Sequence, residues 1–115
     1  MSKDFAQIAA DVTSGVGLLR QASPEAMKAF GALSMTATAS KAIDSKTKEL
    51  MALAVSIAVH CDRCVAYHTK MAHQHGATRD ELVETVAVAV YMGGGPAAVY
   101  GADAVRAYDA FSGKS

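Results

Sequence analysis

Apolar residues recur along nearly the whole chain at three- and four-residue spacing, the period of an α-helix, and the gaps in that pattern fall at capping residues, glycines and prolines. The spacing predicts a first helix over about residues 3–20, with Phe5, Ile8, Ala9, Val12, Val16 and Leu19 on one side and Gly15 and Gly17 weakening its second half. Ser23-Pro24-Glu25 reads as a helix start, and residues 26–34 place Met27, Phe30 and Leu33 along one side. The polar, β-branched stretch over residues 35–40 suits either an extension of that helix or a loop. Asp44 or Ser45 caps a third helix running to about Val59. A fourth begins at Cys61 or Asp62 and ends near His75, with Gly76 as a left-handed stop. Thr78-x-x-Glu81 is a capping box for a fifth helix reaching Met92. Gly93-Gly94-Gly95-Pro96 is a break, and Pro96 opens a sixth helix to about Phe111, before a polar tail at residues 112–115.

The third and fifth helices are apolar on nearly every side, and a helix of that kind is expected to be buried all round. For 115 residues this is more hydrophobic interior than one small domain readily encloses, so the pattern implies a homo-oligomer. The reading is an all-α, six-helix fold in a single domain over residues 1–115. Composition agrees: the apolar residues are mostly Ala, Val, Met and Leu, with no Trp, which favours close-packed helices.

Eleven basic and eleven acidic side chains cancel, and no positive stripe of the kind that tracks phosphates is present, which argues against a nucleic-acid partner. The longest apolar run, from Leu50 to Val59, falls well short of the ~20 residues that span a bilayer. The amino terminus carries acids and lacks the apolar core of a secretory signal. A soluble, cytoplasmic protein is expected, and in that compartment a close cysteine pair is more apt to cycle or bind metal than to staple the fold.

Chemistry concentrates between Glu49 and His68, a stretch that holds both cysteines, Cys61 and Cys64, as C-x-x-C. Cys61, Cys64 and His68 fall on one stripe of a helix, and a cysteine at the first turn faces unpaired amides and the positive end of the helix dipole. Both features favour a thiolate. Glu49 stands twelve residues before Cys61, so in one straight helix the two would be ~18 Å apart. They meet only if the chain reverses near His60. Glu49 would then be an acid in an apolar helix, with His68 as its natural partner.

The pattern Glu49, Cys61-Asp62-Arg63-Cys64, Tyr67-His68 and Gly76 resembles the alkyl hydroperoxidase D-like (AhpD-like) branch of the carboxymuconolactone decarboxylase superfamily, over a core of about residues 44–112. The resemblance implies an all-helical homo-trimer or homo-hexamer without a bound cofactor or metal, acting on a small hydroperoxide. It makes Cys64 the peroxidatic sulfur, Cys61 the proton donor and resolving thiol, and Glu49 and His68 a proton relay. Re-reduction would come from a dithiol, such as a lipoyl-bearing partner protein. One position departs: where the peroxidase has a histidine just before its second cysteine, this chain has Arg63, which stays charged and shuttles no proton.

Other readings of the same residues are a zinc site of Cys61, Cys64 and His68 completed by His73 or His75, a lyase of the decarboxylase type using His68 and Glu49 as acid and base, and a non-catalytic helical assembly with redox-sensing cysteines. Tyr91, Tyr100 and Tyr108 are expected in core or interface packing. The glycine run lacks the strand and the Lys-Ser/Thr of a phosphate-binding loop, so it is read as a tight connection.

Overall fold

A computed structural model describes residues 3–113; Lys114 and Ser115 of the expected polar tail lie outside them. The described residues form six helices and no strand: α1 (Phe5–Ala22), α2 (Pro24–Thr38), α3 (Ser45–Ala58), α4 (Asp62–Gln74), α5 (Arg79–Gly93) and α6 (Gly95–Phe111). The stretch left open by propensity resolves as helix, since α2 continues through Met35 and Thr36 to Thr38 and is stopped by the extended Ala39. Asp44 caps α3 by accepting from the Thr47 amide. Thr78 and Glu81 close the reciprocal capping box at the start of α5.

Helices α3 to α6 form a four-helix bundle in which α3 and α6 each pack on both α4 and α5, with α1 laid against α4 and α6. Lys46 near the start of α3 reaches Glu81 near the start of α5 at 2.8 Å, so these two helices lie side by side and run the same way. That hydrogen-bonded pairing holds the Lys46 ammonium above and the Glu81 carboxyl below their ordinary values. At the same end of the bundle, Tyr108 on α6 donates to the carbonyl of Ala77 just after α4. The core sits among Leu50, Leu53, Ile57, Val65 and Leu82, with the alanines 72, 89, 97 and 104 allowing the helices to approach. A second small cluster of Phe5, Ala66 and Ala107 seats α1.

One expectation is not met within the single chain. Helices α3 and α5 are not buried all round: Met51 and Val55 on α3 and Val59 at its C-cap are each more than half exposed, as are Val88, Tyr91 and Met92 on α5. α2 buries no residue, and Phe30 and Leu33 face outward. The third and fifth helices have an inner apolar side that fills the core and an outer apolar side that nothing in one chain covers.

At Gly101, α6 lies so close to α5 that a Cβ would fall 2.5 Å from Cγ1 of Val86. The clash is with a β-branched side chain of restricted rotation, so it is not cheaply relieved. Gly101→Ala is therefore expected to lower stability by about 1–3 kcal/mol despite alanine's higher helix propensity, and Val86→Ala in the same chain should recover part of the loss. Urea denaturation of the single and double variants measures both; an unchanged or raised midpoint for Gly101→Ala would show that the packing there is loose.

Candidate active site

The reversal that the spacing demands occurs at His60. Its amide donates to the carbonyl of Ile57 at 3.3 Å, and the amide of Cys61 donates to the carbonyl of Ser56 at 3.0 Å. Together with the left-handed backbone of His60 (φ 60°), these two bonds make a Schellman stop at the end of α3. The same motif ends α4, where Gly76 (φ 88°) and Ala77 donate to His73 and Ala72. There the left-handed position is a glycine. At His60 a side chain occupies it, at a cost of roughly 1–2 kcal/mol.

Past this turn Cys61 is the N-cap of α4, a position outside the helix proper, and Cys64 lies in the first turn. The two sulfurs are joined in a disulfide, with the Cα atoms 5.2 Å apart. The Cys64 amide also points at the Cys61 sulfur, 3.3 Å away. Both cysteines are partly exposed, and Arg63 between them faces solvent.

Glu49 is the fifth residue of α3 and is 4% exposed, so it is no solvated first-turn acid. Its Oε1 lies 2.8 Å from Nδ1 of His68, which is partly exposed. A buried carboxylate needs a donor, and the ring nitrogen supplies it. With Nδ1 carrying the proton toward Glu49, Nε2 of His68 is left as the free acceptor. His68 is one turn beyond Cys64 on α4, the separation at which helical side chains are neighbours. Tyr67 meets the His68 ring edge-on, with centroids 5.2 Å apart. The four residues singled out by spacing thus belong to one place: two at the reversal, and two bonded across α3 and α4.

The sequence reading missed how this turn is held. The ring of His60 stacks on Tyr100 of α6, with centroids 5.0 Å apart and planes within 7°. On the far side of Cys61, Asp62 pairs with the Lys3 ammonium, which also binds Asp103 of α6 at 2.7 Å. Asp103 and then Asp62 hold the Lys3 ammonium above its ordinary value. A histidine at the position where the parallel stop has a glycine was the one local signal. Its partner on α6, forty residues away, left none.

Of the other residues considered, His73 meets Tyr108 edge-on, and His75 is the exposed C-cap of α4. Among the described residues no group of three His, Cys, Asp or Glu side chains is arranged to hold a metal ion. Tyr91 is 84% exposed, so it is no core residue of the single chain. Thr69, next to His68, is fully buried with its hydroxyl unpartnered. No helix among the described residues is long and apolar enough to cross a membrane.

Comparison with known proteins places this arrangement in a family. The profile of the carboxymuconolactone decarboxylase family matches residues 24–107. An uncharacterized protein of Cupriavidus necator is 38% identical over 112 residues, covering 97% of this chain and 99% of the relative. The crystal structure of a carboxymuconolactone decarboxylase family protein from Legionella pneumophila superposes with a TM-score of 0.91 at 42% identity, over 96% of this chain and 99% of that one. A family member from Thermotoga maritima, with a suggested involvement in antioxidative response, superposes at 0.77 with 27% identity, over 96% and 92% of the two chains. The match over most of the chain, the six-helix fold and the cysteine pair beside a buried Glu–His bond together establish that this chain belongs to the carboxymuconolactone decarboxylase family, in keeping with its AhpD-like branch.

Proposed function

We propose that the protein is a thiol-dependent oxidoreductase that reduces hydroperoxides through Cys61 and Cys64. The observation that carries this reading is the Glu49–His68 hydrogen bond set one helical turn from a cysteine already paired with its neighbour. A structural staple needs no proton acceptor beside it. A cycling pair does, because a thiol must lose its proton before it attacks.

In the reduced protein, Nε2 of His68 takes the Cys64 proton, and Glu49 stabilises the resulting imidazolium through Nδ1. The Cys64 thiolate attacks the terminal oxygen of the hydroperoxide. An S–O bond forms, the O–O bond breaks, and the departing alkoxide takes a proton from the imidazolium or from the Cys61 thiol, giving an alcohol and a Cys64 sulfenic acid. The Cys61 sulfur then attacks Cys64, the S–S bond forms, and the hydroxyl leaves as water once protonated. The sum is two thiols and one hydroperoxide to one disulfide, one alcohol and one water. A dithiol, which a lipoyl-bearing protein would supply, exchanges with the disulfide and restores both thiols while becoming a disulfide itself. Arg63, exposed beside the pair, is positioned to attract an anionic substrate or reductant and has no part in proton transfer.

The outer apolar sides of α3 and α5 support assembly into a homo-oligomer, with a trimer or hexamer as the proposed state. Met51, Val55 and Val59 repeat every four residues along α3, and Val88 and Met92 do so on the parallel α5 beside it. No charged residue occurs from 50 to 59 or from 85 to 102, so a partner of matching character is a second copy of the same helices.

Cys64→Ser should abolish hydroperoxide-dependent oxidation of a dithiol; retained turnover would put the nucleophile elsewhere. His68→Ala or Glu49→Ala should slow the reaction with hydroperoxide by about 10²–10⁴-fold, read by stopped-flow loss of thiol, with Glu49→Gln the milder of the two Glu49 changes because it keeps an acceptor for Nδ1. Val55→Asp should reduce the assembly to monomers in light scattering; an unaltered mass would mean that the outer side of α3 is not the interface.

A further inference from the structure

The residues on the two sides of Cys61 are both fastened to the same helix. His60 stacks on Tyr100, and Asp62 reaches Asp103 through Lys3. Tyr100 and Asp103 are three residues apart on α6, so they lie on one face of it. α6 is itself seated without slack, because Gly101, next to Tyr100, sits hard against Val86. Of the two fastenings, the Lys3 bridge joins side chains that are 41% and 44% exposed at the Asp62 end, where water and salt weaken it. The aromatic stack is not a matter of charge. It also explains the odd residue at the stop of α3: glycine would satisfy the left-handed backbone without strain, as it does at Gly76, but would leave Tyr100 with nothing to hold.

We infer that His60 and Tyr100 form a clamp that positions Cys61 for disulfide exchange with Cys64, a role resting on the redox reading above. Cys61 is the N-cap, so its placement depends on the turn before it rather than on helix hydrogen bonds of its own. With the turn pinned to α6, the reduced protein keeps its two Cα atoms near the 5.2 Å of the disulfide form, and the Cys61 thiol stays at high effective concentration beside Cys64. Releasing the clamp lets Cys61 wander when reduced. Closing the ring then costs chain entropy, and the equilibrium with an external dithiol moves toward the two protein thiols. His60 is a positioning residue in this scheme, acting through Cys61.

The test equilibrates the full chain against mixtures of reduced and oxidised dithiothreitol, in which each reductant breaks the Cys61–Cys64 bond and closes to its own cyclic disulfide. The readout is the fraction of protein disulfide. His60→Gly, His60→Asn and Tyr100→Ala should each shift the equilibrium about tenfold toward the dithiol, a potential about 30 mV less negative. Tyr100→Phe, which keeps a ring to stack on, should match the parent. The double variant His60→Gly/Tyr100→Ala should shift no further than either single change. Thermal melting of His60→Gly separates positioning from stability, since relief of the backbone strain should leave its Tm equal or higher while the potential still moves. Parent-like potentials in both His60→Gly and Tyr100→Ala would overturn the clamp and leave the redox reading standing. A parent chain that never forms the Cys61–Cys64 disulfide in these mixtures would overturn both.

Discussion

Everything chemical in this protein depends on a carboxylate that an apolar helix has taken out of water. Glu49 on α3 is buried, and the hydrogen bond to Nδ1 of His68 on α4 is what makes its burial tolerable. The bond imposes a geometry on the chain between them: α3 must stop, reverse and return alongside itself. The Schellman stop at His60 does this in a single turn, and Cys61 is the first residue past it. The cysteine pair therefore sits at the hinge of the two helices whose pairing fixes the histidine.

On the proposed redox reading, that arrangement separates two duties. α3 and α4 hold the proton-handling residues, with His68 oriented by Glu49 and Cys64 one turn away. The turn and α6 hold the second sulfur, through the His60–Tyr100 stack and the Lys3 bridge. A disulfide that opens and closes needs both: a base for the attacking thiol, and a partner thiol that does not drift off when the bond is broken. On that reading Arg63, standing where the resembled peroxidase has a histidine, carries no proton, and the bonded Glu49–His68 pair is the proposed proton relay beside the cysteines.

Much of this was legible in the sequence because the signals were local. Asp44, the Thr78 and Glu81 box, and Gly76 act within a few residues of themselves, and each ends or starts a helix where the pattern placed it. The reversal at His60 was also legible, since a fixed spacing of acid, cysteines and histidine admits one solution in a helical chain. What escaped depended on neighbours far along the chain. Thr36 and Thr38 are β-branched and weak helix formers, and the rest of α2 carries them into it. His60 at the stop of α3 was a local signal, but its stacking partner Tyr100, forty residues on, was not. The apolar circumference of α3 was read correctly as composition, but one chain covers only its inner side, leaving Met51, Val55 and Val59 in the open.

The central claim is that Cys61 and Cys64 exchange electrons with a hydroperoxide. Adding one equivalent of an alkyl hydroperoxide to the fully reduced protein, then trapping remaining thiols and weighing the intact chain, tests it directly. The account predicts the loss of both free thiols and of two hydrogens, with a peptide map joining Cys61 to Cys64. A chain that keeps both thiols through the treatment would contradict it.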